Sequence, residues 1–182
     1  MFVLLNKLIG WEITGFIFVV IIGSLLHFVY NWTGNNRIAG IFSPINESTW
    51  EHLKLLFVPM LLFSAFEYFN VGKNYPNFIL AKSIGIVLGL ITIIITFYTY
   101  TGIIGKHFLC ADILTFIFGV AVAFTYSWQA IHHIQINIQN QFAGIILILT
   151  LAVSFLLFTF YPPHIALFLD PVTKGYGISG NQ

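Results

Sequence analysis

The chain has 182 residues, 58% of them hydrophobic, 18% aromatic and only 7% charged, against roughly 25% charged in an average soluble domain. That composition belongs in a bilayer. A formal net charge of +1 with no run of like charge excludes a nucleic-acid footprint, and the single cysteine, Cys110, excludes an internal disulfide and a CxxC motif.

A hydrocarbon core of about 30 Å takes about 20 apolar residues per helix. Five runs reach that length, near 8–30, 47–70, 77–101, 108–131 and 141–161, followed by a tail over 162–182. The expected fold is all-α: an integral membrane bundle of five transmembrane helices forming one domain over 1–182. Its connections are short apart from 31–46, so sequential helices are expected to be antiparallel neighbours. Five alternating spans put the two ends of the chain on opposite faces. Face B receives the N-terminus and the connections at 71–76 and 132–140. Face A receives the end of the first run, the start of the second, the turn at 102–107 and the tail.

In the first run, Lys7 is the lone early cation and no small-residue cleavage site follows, which reads as a retained span in a mature chain rather than a signal peptide. Glu12 reads as an acid at a helix start, and His27 and Asn31 share one face near the end. The second run opens with FSPINESTWEHLK. Ser43-Pro44 suits a helix start and Asn46 offers an alternative cap. Glu47, Glu51 and Lys54 then fall at i, i+4 and i+7 on one stripe, with Ser48 and His52 on a neighbouring one. Pro59 is expected to kink this helix. Glu67 and Lys82 are placed to pair between the second and third runs. Gly85, Gly89, Gly119 and Ala121 are small residues suited to close helix packing. His132 and His133 are adjacent and point about 100° apart on a helix, so they form no two-point ligand. Trp11, Trp32, Trp50 and Trp128 sit near span ends as interfacial anchors. After the fifth run, Tyr161-Pro162-Pro163 stops the helix. The short apolar segment beyond it is expected to fold over face A, with Asp170-Pro171 turning the chain.

Face A thus collects His27, His52, His107 and His164 with Glu47, Glu51, Asp112 and Asp170. Ionisable groups at membrane depth are functional candidates. Neutral imidazoles and carboxylates suit zinc or another divalent metal, and three protein ligands with an open position polarise water for hydrolysis. The candidate metal ligands are His27, Glu47, Glu51 and His164, with His52 as substitute ligand or supporting partner. Glu47 and Glu51 are the candidate catalytic carboxylates, and Asn31, His52 and Asp170 the candidate binding residues around them. The expected function is a metal-dependent hydrolase of a lipid or other amphiphilic substrate. Two rivals use the same residues: a carrier or binding protein for a cation or small molecule, and a scaffold or accessory subunit whose face A merely solvates helix ends. Membrane lipids are the expected surroundings in each case.

The stretch HFVYNWTGNNRIAGIFSPINESTWEHLKLLFVPM, with its S-P-x-N-E-S-x-W-E-H motif and the later PPH, DP and GYG, resembles an uncharacterised family of small bacterial polytopic membrane proteins over nearly the whole chain. The resemblance implies a location in the cytoplasmic membrane and supplies no activity. A looser similarity is to alkaline ceramidases and adiponectin-type receptors, whose membrane zinc is held by histidines from several helices. This chain has five runs rather than seven and no H-x-x-x-H pair, so that likeness is an analogy.

Overall fold

A computed structural model describes residues 2–133 and 139–178, with side chains described over 7–132 and 141–178. The side chain of His133 and most of the expected 132–140 connection lie outside the described residues. The helices are α1 (Phe2–Trp32), α2 (Arg37–Phe42), α3 (Thr49–His52), α4 (Lys54–Asn70), α5 (Phe78–Ile104), α6 (Leu109–His133) and α7 (Gln139–Phe160). Among the described residues, five segments are long and apolar enough to cross a membrane: Lys7–Trp32, Thr49–Asn70, Phe78–Ile104, Leu109–His132 and Gln141–Phe160. The fold is the expected all-α bundle of five apolar spans. Among the described residues the sole β feature is one isolated bridge, Leu169 to Tyr176. Helix α5 ends where Gly105 takes up φ 80° and its amide returns to Thr101 O at 2.8 Å, a left-handed stop that glycine adopts without strain.

The second span starts later than the Ser43-Pro44 reading. Residues 37–42 form the extra helix α2, capped by Asn36 Oδ1 on the Ile38 amide at 2.8 Å. Ser43 closes α2 and opens nothing. The cap of the span is Ser48, whose Oγ accepts from the Glu51 amide at 3.4 Å. The break between α3 and α4 falls at Leu53, which keeps right-handed helical angles, so 49–70 reads as one slightly disturbed rod. Pro59 lies inside α4 without ending it.

Pro59 has no N–H, so the Leu55 carbonyl one turn earlier loses its helical donor. That carbonyl faces Gly23 of α1, where an added Cβ would run into Leu55 O, with Phe116 Cζ 2.8 Å away. Bare backbone at Gly23 therefore lets α1 lie against the stretch of α4 that the proline leaves unpaired. Replacing Gly23 with alanine is expected to cost about 1–3 kcal/mol, the usual price of overpacking. Thermal unfolding in mild detergent would show it; an unchanged midpoint would mean that α1 and α4 are less closely apposed.

The core runs down the bundle through Val19, Leu53, Leu56, Met60, Ile86, Val120 and Phe155. Gly85, Gly89 and Gly119 do pack helices within the chain. A Cβ on Gly89 would stand 2.8 Å from Gly119 O, one on Gly119 2.9 Å from Gly89 O, and one on Gly85 2.7 Å from Ala123 O. Ala123 of α6, rather than Ala121, completes this seam; Ala121 lines two outer grooves instead. Trp50 is packed as well as terminal, its ring centroid 4.8 Å from Phe155, 5.4 Å from Phe158 and 4.9 Å from Phe168. Glu12 is no solvent-facing start acid: it is buried and paired to Lys82 of α5.

Candidate metal centre

Ser48 turns the chain at the membrane edge. Its backbone is extended, its amide donates to Asn46 Oδ1 at 3.0 Å, and its hydroxyl holds the first turn of α3. The cap has two consequences for the acids. Glu47 is left outside the helix and exposed, while Glu51 falls one turn inside and is buried. The two carboxylates therefore share no stripe. His52, one turn after Ser48, brings its Nδ1 to 2.9 Å from the Ser48 carbonyl. A carbonyl only accepts, so Nδ1 carries the proton and donates. When the ring is neutral, Nε2 is then the nitrogen left to bind an ion.

That Nε2 stands 3.1 Å from Nε2 of His27, brought from the last turns of α1. Glu47 Oε2 completes a triangle, 3.4 Å from His52 Nε2 and 3.7 Å from His27 Nε2. Among the described residues, His27, Glu47 and His52 form the group able to share one ion. Zinc binds nitrogen and oxygen ligands at about 2.0–2.2 Å in tetrahedral geometry, which separates neighbouring ligand atoms by about 3.3–3.6 Å. The observed triangle brackets that edge. The neighbouring imidazoles, His27 foremost and His52 next, hold the Glu47 carboxyl well below the usual carboxylate range. It is thus ionised and available as a ligand. The side chains of His27 and Glu47 are 32% and 49% exposed, so the fourth direction opens outward.

Two expected ligands are elsewhere. Glu51 faces inward: its Oε2 lies 2.6 Å from Lys54 Nζ and accepts from the Ile45 amide at 3.1 Å. Lys54 Nζ also donates to Gly40 O at 2.8 Å and to Thr159 Oγ1 of α7 at 2.7 Å. Held by a buried ammonium and an amide, with the Thr159 hydroxyl 3.3 Å from its Oε1, this carboxylate is turned away from the triangle. Glu51 instead ties α2, α3, α4 and α7 together beneath the triangle. His164 stacks on Tyr176 with centroids 4.4 Å apart and does not join the group. Asp170 is buried and shapes the tail, its Oδ1 accepting from the Val172 amide at 2.8 Å and its Oδ2 from Thr173 Oγ1 at 2.7 Å. Asn31 is exposed at the end of α1, with its carbonyl accepting from the Gly34 amide. Face A holds a separate pair, His107 Nδ1 to Asp112 Oδ2 at 3.1 Å, with the Tyr100 hydroxyl also on Asp112.

His52 joins His27 and Glu47 in the triangle itself. The signal was the string S-T-W-E, a serine followed three residues later by a glutamate, which marks a helix start at Ser48. With that start, Glu47 turns outward and His52 points back over the cap.

No curated protein and no solved structure matches this chain. A family model matches residues 2–178, and the chain belongs to that family, the family of unknown function DUF6512.

Proposed function

We propose that the protein is a metal-dependent membrane hydrolase, holding zinc or a similar divalent ion on His27, Glu47 and His52 and acting on a lipid or other amphiphilic substrate at face A. The observation that carries this reading is the triangle of ligand atoms, 3.1, 3.4 and 3.7 Å on its edges, with one side open. Two histidines and one carboxylate give an ion that keeps positive charge. Bound at an open position, such an ion lowers the pKa of water to about 7. The Ser48 carbonyl fixes the His52 ring, the outer-shell support that metal-ligating histidines ordinarily have. Apolar surface beside the triangle supports an amphiphilic substrate: Phe28, in ring contact with His27, and Trp32, stacked on Phe28, are 49% and 67% exposed. That rim suits acyl chains while the polar end meets the ion.

Elemental analysis of protein purified without chelators tests the first half. About one divalent ion per chain is expected in the wild type, lost in His27→Ala and His52→Ala and kept in His164→Ala. A metal-free wild type, or metal retained in both triangle variants, would refute the site. Ester, amide and phosphodiester amphiphiles then test the second half, with turnover abolished by chelation and restored by the ion. Stoichiometric metal without turnover on any of them would leave a cation-binding protein in place of a hydrolase.

A further inference from the structure

Near face B, about one helical turn inside the ends of three spans, Glu12 of α1, Glu67 of α4 and Lys82 of α5 meet. Lys82 Nζ lies 2.7 Å from Glu12 Oε2, with hydrogen-bond alignment, and 2.7 Å from Glu67 Oε2. The three side chains are 6%, 0% and 2% exposed. Two carboxylates face one ammonium. Glu12 Oε1 and Glu67 Oε1 are buried without a hydrogen-bond partner, and Glu67 Oε2 meets the ammonium out of hydrogen-bond alignment.

Charge counting makes this arrangement unlike the one around Lys54. There, one acid meets one lysine and every Nζ direction finds an acceptor. Here, full ionisation would leave a net negative charge in an apolar interior, at a desolvation cost of several kcal/mol per ion. Among the described residues, no second cation offsets it. Lys82 Nζ stands 5.0 Å from the Phe124 ring centre and 5.4 Å from that of Phe78. Helix α7 carries no charged residue. Helix α6 carries Asp112 at the opposite end, and His132 packs edge-on against Trp128. The charges acting on Glu12 are Lys82 and Glu67. A metal ion fits poorly, since the ammonium occupies the space between the carboxylates and hard cations take about six oxygen ligands.

We infer that the Glu12–Lys82–Glu67 triad is a membrane-buried proton-binding site that holds one proton per chain at neutral pH. Glu12, aligned on Lys82, is the ionised partner, and Glu67, fully buried and out of alignment with the ammonium, carries the proton. Filling the site converts one carboxylate to the acid, and emptying it returns that proton to water. Glu12 lines a groove of about 200 Å³ between α1 and α6, with Ile13, Phe16, Ala121, Phe124 and Thr125, which gives the site a way out.

Infrared spectroscopy of the wild-type protein in detergent at neutral pH reads this directly. A carbonyl stretch of a protonated carboxylic acid is expected, downshifted in heavy water and bleached as pH rises. Glu67→Gln should remove the band while keeping the melting temperature within a few degrees, because the amide replaces a neutral acid of the same shape. Lys82→Met should roughly double the band, since two acids without a counter-ion both take protons. No acid band in the wild type would overturn the inference, with no variant needed. So would a band that survives in the Glu12→Gln/Glu67→Gln double variant. Stabilisation of the wild type by sodium or potassium over choline, lost in Glu67→Gln, would overturn it too, by showing a metal cation in the proton's place.

Discussion

Lys54→Met is expected to destabilise the protein by about 3–5 kcal/mol, the range for removing one partner of a buried ion pair. Lys54 is completely buried, and its ammonium contacts Glu51, Gly40 and Thr159 from three different parts of the chain. Without it, Glu51 is an uncompensated acid under a helix start, and α2 and α7 lose their shared anchor. The double variant Glu51→Gln/Lys54→Met should recover a clear part of the loss, because the glutamine can still accept from the Ile45 amide and donate to Thr159. Contacting residues typically show coupling of about 0.5–3 kcal/mol. Detergent unfolding of the two single variants and the double one gives that coupling. Additive losses would mean that the pair is not the keystone its geometry indicates. Metal content is a second readout: Glu51 and His52 are neighbours in α3, so Lys54→Met should also weaken ion binding, whereas Glu51→Gln/Lys54→Met should largely restore it.

Gly119→Val should be the most damaging change in the apolar interior. A branched side chain there meets the Ile93 side chain and the Gly89 carbonyl, the latter 2.9 Å from where Cβ would stand. Overpacking of this kind costs about 1–3 kcal/mol and sometimes more, and a backbone obstacle places this case at the upper end. The Ile93→Ala background should relieve only the side-chain share of the clash. Gly102→Val is the matched control, because nothing lies within 4 Å of a Cβ at Gly102, and its expected effect is within about 0.5 kcal/mol. Equal losses at the two glycines, measured by thermal unfolding, would remove the close α5–α6 contact as their explanation.

The five spans were legible because hydrophobic length is a local quantity, and a membrane demands it of every crossing helix. The Glu67–Lys82 pair was legible too, as two isolated charges near the same face. Glu12 was misread as a start acid because its partner stands 70 residues away, where no local pattern points. At face A the residue types were visible while their grouping was not. A helix start at Ser43 or Asn46 sets Glu47 and Glu51 on one stripe; the start at Ser48 sends one outward to His27 and His52 and the other inward to Lys54. Moving a cap by a few residues thus exchanges a member of the His27–His52 triangle for a structural acid. Helix α2 escaped notice for a related reason: six residues are too few to show a period, and its role is set by the Gly40 carbonyl that receives Lys54.

The partners of Lys54 also impose an order on biosynthesis. Its bond to Thr159 spans 105 residues, and synthesis delivers α7 last of the five spans. Until that helix arrives, the lysine and its glutamate lack one of their polar partners, and a nascent chain has reason to keep them close to the aqueous edge. Completion of this buried polar cluster therefore waits on insertion of the last helix.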